Sequence, residues 1–362
     1  MVLLVVGIAG WVIRRRYAPV PTDAPFRPMA RARLAPAGLR EPQPASRDRE
    51  SSDPGDTRGQ DLLHRLYAVA FEDVAFSRDA VVAGTAHANV VSHAVSTLAK
   101  IETQPRYTPR RPHLLPQLMR TVNDPDASGQ AMAAIIAKDP VLAGNLLRIA
   151  SSALYCVQSR PVENIAHAVA MVGTDGIRQL IAAALVQPVM GAAGGGPFGR
   201  LATIIWDHTL LSSAAAADHA MLVEGDDAFS AQLLGLMQGL GAATVARVAR
   251  DQYARRPKLV PDASVIAALL DGWAVPTARR VAEKWALPER ICQALDQQRG
   301  AAPDSLGRSL RFGRSAAALA MLCKHGRAEE GEALLALASL EPRGHATADI
   351  WKRLRRGVEA HS

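Results

Sequence analysis

A chain of 362 residues is long enough for one large core or two modest ones; 49% of it is hydrophobic, much of that alanine and leucine, and only 4% is aromatic. That bias predicts an all-α protein of closely packed helices and leaves no period-two pattern for a sheet. The net charge of +8 is concentrated between Arg14 and Arg58 and around Lys352, Arg353, Arg355 and Arg356. These stretches lack the interleaved aromatics of a single-strand binder, and Cys156, Cys292 and Cys323 form no CxxC pair, which argues against a disulfide framework and a thiolate zinc site.

The first element is Met1 to Ile13, an apolar run closed by Arg14, Arg15 and Arg16. It is shorter than the roughly 20 residues of a spanning helix, and its positive charge follows the apolar stretch, unlike a secretory signal. Two readings stand level. One is a thin or tilted inner-membrane anchor over residues 1–13, leaving the rest in the cytoplasm. The other is a mis-assigned start or loosely bound terminus. Residues 14–59, rich in Pro, Arg, Ser and Asp, have no apolar periodicity and read as a disordered linker.

A small helical preface follows over residues 60–104. Leu62, Leu63, Leu66, Val69, Ala70 and Val74 recur at helical spacing within Asp61 to Phe76, a second helix is predicted from Arg78 to Ile101, and a Pro-rich turn ends it between Gln104 and Pro112. Asp126 or Ser128 is positioned to cap a helix to Lys138, and Asp139-Pro140 reads as a cap with proline at the first helical position. Thr174 or Asp175 is placed to cap a helix to Leu185. The glycines from 191 to 196 read as a connector, since they lack the Lys-Ser/Thr pair and preceding strand of a phosphate loop. Longer helices are predicted at Leu201–Met221, Ala228–Gln252, Asp262–Leu270, Pro276–Trp285 and Pro288–Gln298, and a helical extension over residues 303–356.

Several runs resemble a known family. They are Leu115-Pro116, Asn123-Asp124-Pro125, Ile135 to Leu142 with Asp139-Pro140, and Leu146 to Tyr155 with Arg148, Ser151, Ser152 and Tyr155. Further on come Ala168 to Gly173, Gly176-Ile177-Arg178, Trp206-Asp207-His208 and Trp285 to Ile291 with Pro288. Together they resemble the HDOD family, and residues 106–300 are taken as one such domain. The family usually has Asn at Ser151 and Gly at Cys156, so the turn there departs from the pattern.

The resemblance implies an all-helical signalling domain related to the HD phosphohydrolases but usually without their activity. Catalytic relatives hold one or two metals with histidines and aspartates from several helices, because bound water becomes nucleophilic only on a firmly held cation. Here the resemblance puts His208 at the first ligand position, Gln238-Gly239 where the His-Asp pair would stand, Ala274 at a further histidine, and Gln297 and Gln298 at the last positions. One ligand of about five survives, too few for such a metal. The expectation is no catalysis, no metal and no cofactor, with His208 a packed or hydrogen-bonded histidine. What the resemblance implies instead is an output or adaptor module in bacterial signal transduction, in some cases tied to cyclic-dinucleotide pathways. It would act on signalling protein partners, with no specific nucleic acid. The rival is a residual metal-dependent phosphohydrolase acting on nucleotides or cyclic dinucleotides.

Other polar residues carry blander expectations. Asp218-His219 reads as a solvated or partner-facing pair. His87 and His93, six apart on a helix, point away from a shared metal. Arg148 and Arg178 read as ordinary exposed arginines rather than anion ligands.

Overall fold

The computed structural model describes residues 54–72, 80–109, 128–138, 164–173, 195–299, 303–341 and 346–360, with isolated positions between 117 and 177. Helices α1 Pro54–Ala68, α2 Ala80–Leu98 and α3 Gly129–Ile136 come first. After them run α4 Pro197–His219, α5 Ala228–Ala254, α6 Ala263–Lys284 and α7 Glu289–Asp296, then α8 Ser305–Lys324, α9 Glu330–Leu340 and α10 Thr347–Ala360. A nine-residue helical stretch spans 165–173, and no strand occurs among the described residues. The predicted anchor and linker, the Asp139-Pro140 cap and the Thr174/Asp175 cap lie outside the described residues.

Side-chain oxygens set the helix starts. Ser128 accepts from Ala131 N to open α3; Asp227 accepts from Phe229 N and Ser230 N, both at 3.1 Å, to open α5; Asp262 accepts from Ser264 N and Val265 N at 2.8 and 3.1 Å to open α6. Such caps satisfy amides that the helix itself leaves unpaired. The end of α6 is set by backbone shape. Leu287 N bonds Ala282 O, Ala286 N bonds Glu283 O, and Ala286 takes the left-handed conformation at φ 50°. This reversal buries the Trp285 indole, whose N–H donates to Pro109 O at 3.2 Å, and places Pro288 at the N-cap of α7.

One expectation needs correction. Asp262–Leu270 and Pro276–Trp285 are not two helices; α6 runs through Pro276 without a break. Proline forfeits one backbone hydrogen bond and crowds the preceding turn, which usually ends a helix. Here α6 lies along α5 over most of its length and buries Ile266, Leu269, Leu270, Ala274, Ala278 and Val281, so packing outweighs the lost bond.

Helix α5 is at the centre, between α4 and α6, and α8 packs across α4. Nearly all of its 27 residues are buried. It is the one helix among the described residues long and apolar enough to cross a bilayer, and its apolar window is buried in the protein core. Small residues permit the close approach. A Cβ at Gly239 would lie 2.1 Å from Thr209 Oγ1 of α4, and one at Gly313 of α8 would lie 2.5 Å from Ser212 O. Neither position accepts a side chain unless the helices separate.

The flanking helices share this core. Leu66 and Tyr67 of α1 are buried with it, as are Leu310, Phe312 and Ala316 of α8 and Trp351 of α10. Specific contacts fix them: Arg65 Nη2 donates to Arg327 O at 2.8 Å, Arg200 Nε to Ala70 O at 2.9 Å, and Trp351 Nε1 to Glu330 Oε1 at 2.9 Å.

Candidate functional site

The positions at which the resemblance places metal ligands come together, with one exception. His208 of α4 and Gln238 and Gly239 of α5 line one small cavity; Gln238, Ala274 and Gln298 line the adjoining one. Gln297 points elsewhere, its Oε1 accepting from Asp304 N at 2.9 Å. The local reason is that Gln297 and Gln298 follow α7 in a tight 3-10 turn, so successive side chains diverge.

What these residues offer is not a metal's coordination sphere. His208 is buried, and its Nε2 lies 3.0 Å from Arg314 O. A carbonyl can only accept, so Nε2 carries the proton and is not available as a ligand atom. Burial, aided by the Arg314 charge and partly opposed by that hydrogen bond, pushes the ring's pKa down to about 4, so it is neutral. Gln238 Oε1 and Gln298 Oε1 are buried without a hydrogen-bond partner among the described residues, while Gln298 Nε2 donates to Ala294 O and Gly307 O. Two neutral amide oxygens suit a water molecule better than they anchor a divalent cation. Gly239 has no ligand atom and, wedged under Thr209, no room for one. The residues present therefore do not fit a catalytic metal.

Two further residues line both cavities, Tyr67 of α1 and Arg314 of α8. Tyr67 is buried, and chiefly for that reason its hydroxyl pKa is pushed up to about 12. Sequence reasoning missed both because they come from the preface and the extension. The signals were modest: Tyr67 sits on the apolar stripe of its helix, and Arg314 is the last charge before the run Ser315 to Leu322.

Of the family-motif positions, Asp139, Pro140, Arg148, Ser151, Ser152, Tyr155 and Arg178 lie outside the described residues. Gly173 ends the 165–173 stretch at φ 60°, a conformation that favours glycine. Trp206 is half-buried against the core. His87 Nδ1 lies 2.9 Å from the Tyr253 hydroxyl, whereas His93 Nδ1 lies 2.6 Å from Asn89 O, so the two do not converge.

Asp218-His219 is a second correction: it is not a solvated pair. Asp218 does reach the surface, where it pairs with Arg353 at 2.9 Å, but the His219 side chain is only 1% exposed. Its Nδ1 lies 3.1 Å from Ser309 Oγ, its Nε2 lies 3.2 Å from Glu341 Oε2, and its ring stacks on Phe312. Residues of the extension cover this face of α4, which the sequence of α4 alone does not reveal.

A family model for the HDOD domain matches residues 108–300, just over half of the chain. The chain belongs to the HDOD family. A provisionally named metal-dependent phosphohydrolase of Shewanella amazonensis shares the fold at a TM-score of 0.50 and 17% identity, over 76% of this chain and 99% of that one. An HDOD domain protein of unknown function from Geobacter sulfurreducens matches at a TM-score of 0.48 and 17% identity, over 74% and 93% of the two chains. A provisionally named signal transduction protein of Marinobacter aquaeolei matches at 0.44 and 18% identity, over 84% and 66%. No curated protein matches the chain. In this HDOD protein the cavity residues Gln238, Gly239, Ala274 and Gln298 fall within the matched region, and Tyr67 and Arg314 outside it.

Proposed function

We propose that this HDOD protein is a non-catalytic output or adaptor module of signal transduction that acts by binding a signalling protein. The observation that carries the reading is Gly239 under Thr209, beside a His208 whose Nε2 is committed to a backbone carbonyl. Without a cation, water in this cleft would have no Lewis acid to lower its pKa, and neutral glutamines are poor bases. Residues 1–13, if embedded, would hold the module at the cytoplasmic face of the inner membrane on its linker and raise its local concentration there.

The experiment is a turnover assay of the full chain with manganese, iron or magnesium and either cyclic dinucleotides or a generic phosphodiester. The expected result is no rate above the protein-free control, together with recovery of a defined signalling protein by cross-linking. Metal-dependent turnover that His208→Ala abolishes would overturn the proposal in favour of a residual phosphohydrolase.

A further inference from the structure

At the far end of α4 a histidine and two carboxylates converge. The ligand atoms of His219, Glu224 and Glu341 all lie within 4.8 Å of one another. They come from three different places: the last residue of α4, the π-helical turn Ala220–Glu224 that follows it, and the C-cap of α9. All three side chains are almost fully enclosed, at 1%, 3% and 9% exposure.

Hydrogen bonds set the orientation of the His219 ring. The Ser309 hydroxyl has one hydrogen and two acceptors in reach, and the 2.8 Å contact to Ser305 O, shorter than the 3.1 Å contact to His219 Nδ1, places it on the carbonyl. Ser309 Oγ must then accept from Nδ1–H. With Nδ1 turned to Ser309, Nε2 faces Glu341 Oε2 at 3.2 Å. The carboxylates of Glu341 and Glu224 are drawn to this nitrogen within the same buried cluster, with Arg308 paired to Glu224. One imidazole nitrogen and two buried carboxylates facing one another form a donor set that a cation would hold together.

We infer that His219, Glu224 and Glu341 form a binding site for a divalent transition-metal ion of the zinc class, distinct from the degenerate HD cleft at His208. An imidazole and two carboxylates are a donor set that zinc accepts, with a remaining position for water. Two donors on one tetrahedral zinc at about 2.1 Å each stand about 3.4 Å apart, so the widest pair closes by at most about 1.4 Å, within reach of carboxylate side-chain rotation. Nδ1–H donating to Ser309 is the outer-sphere contact that orients a ligating histidine. Arg308 grips both Glu224 oxygens, at 2.8 and 2.5 Å; each carboxylate oxygen keeps a second lone pair, so the grip fixes the carboxylate without using up its donors. The ion would clasp the end of α9 to the end of α4.

The full chain, stripped with a chelator and titrated with zinc chloride, is expected to bind one equivalent and to rise in Tm by several degrees. Glu341→Gln keeps the shape of the side chain and removes its negative charge; it should weaken zinc binding about tenfold or more while the metal-free variant keeps the helical far-UV spectrum of the wild type. His208→Ala should bind zinc as the wild type does, which separates this site from the HD cleft. Two results would overturn the inference: no stoichiometric binding at about 0.1 mM zinc, or binding that Glu341→Gln leaves intact.

Discussion

Helix α4 carries two buried histidines eleven residues apart, about three turns, so His208 and His219 face the same way. Both contact α8, yet their surroundings are opposite in kind. His208 meets a backbone carbonyl and shares its cavity with a glutamine amide and a glycine. His219 meets a hydroxyl and two carboxylates. Burial alone makes an imidazole neutral; whether the site can also hold a cation depends on the charge of its neighbours. The family's own cleft has lost that charge, whereas the end of α4 gains it from Glu341 and the π-turn.

The largest expected effect breaks the contrast directly. Gly239→Asp restores a carboxylate beside His208, but it drives a side chain into Thr209 and buries an uncompensated charge. It should cost about 3–5 kcal/mol, read as a large fall in Tm, with no gain of metal. A stable variant that binds manganese would show the cleft to be recoverable.

Next comes acid. The folded-state pKa of His208, about 4, lies below its unfolded value of 6.5, so the unfolded chain binds more protons between those limits. Stability should hold above pH 6.5 and fall by roughly 3 kcal/mol at most as pH drops toward 4. The buried His219 is shifted in the same direction and adds to the loss. Denaturant melts across this window should be flatter for His208→Gln than for the wild type.

Smaller is Ser309→Ala, which removes the acceptor for His219 Nδ1. About 1 kcal/mol of stability should go, and zinc affinity should fall in a calorimetric titration as the ring loses its orientation. Smallest is Arg353→Ala, which breaks the half-exposed pair with Asp218 next door. Chemical denaturation should register under about 1 kcal/mol. A larger loss would mean that the surface pair, rather than the buried cluster, fixes the extension to α4.

Periodicity and caps were legible one helix at a time. Ser128 and Asp262 sit where a capping oxygen is needed, and the alanine-rich stretch after Gly225 forms the central helix as read. Pro276 misled because proline's local cost is visible in a sequence, whereas the apolar face that outweighs it belongs to two helices at once. Gly239 could be read as a lost ligand but not as a seat for Thr209.

By itself, then, the sequence determined the all-helical class, the family and the chemical poverty of its ancestral cleft, because those depend on which side chains are present at which spacing. Only the tertiary structure decided that Tyr67 and Arg314 line that cleft, that the proton on His208 faces a carbonyl, and that His219 lies beside Glu341, 122 residues away. Proton placement and donor clusters depend on distances between separate helices, and those distances are set by how closely small residues let the helices pack.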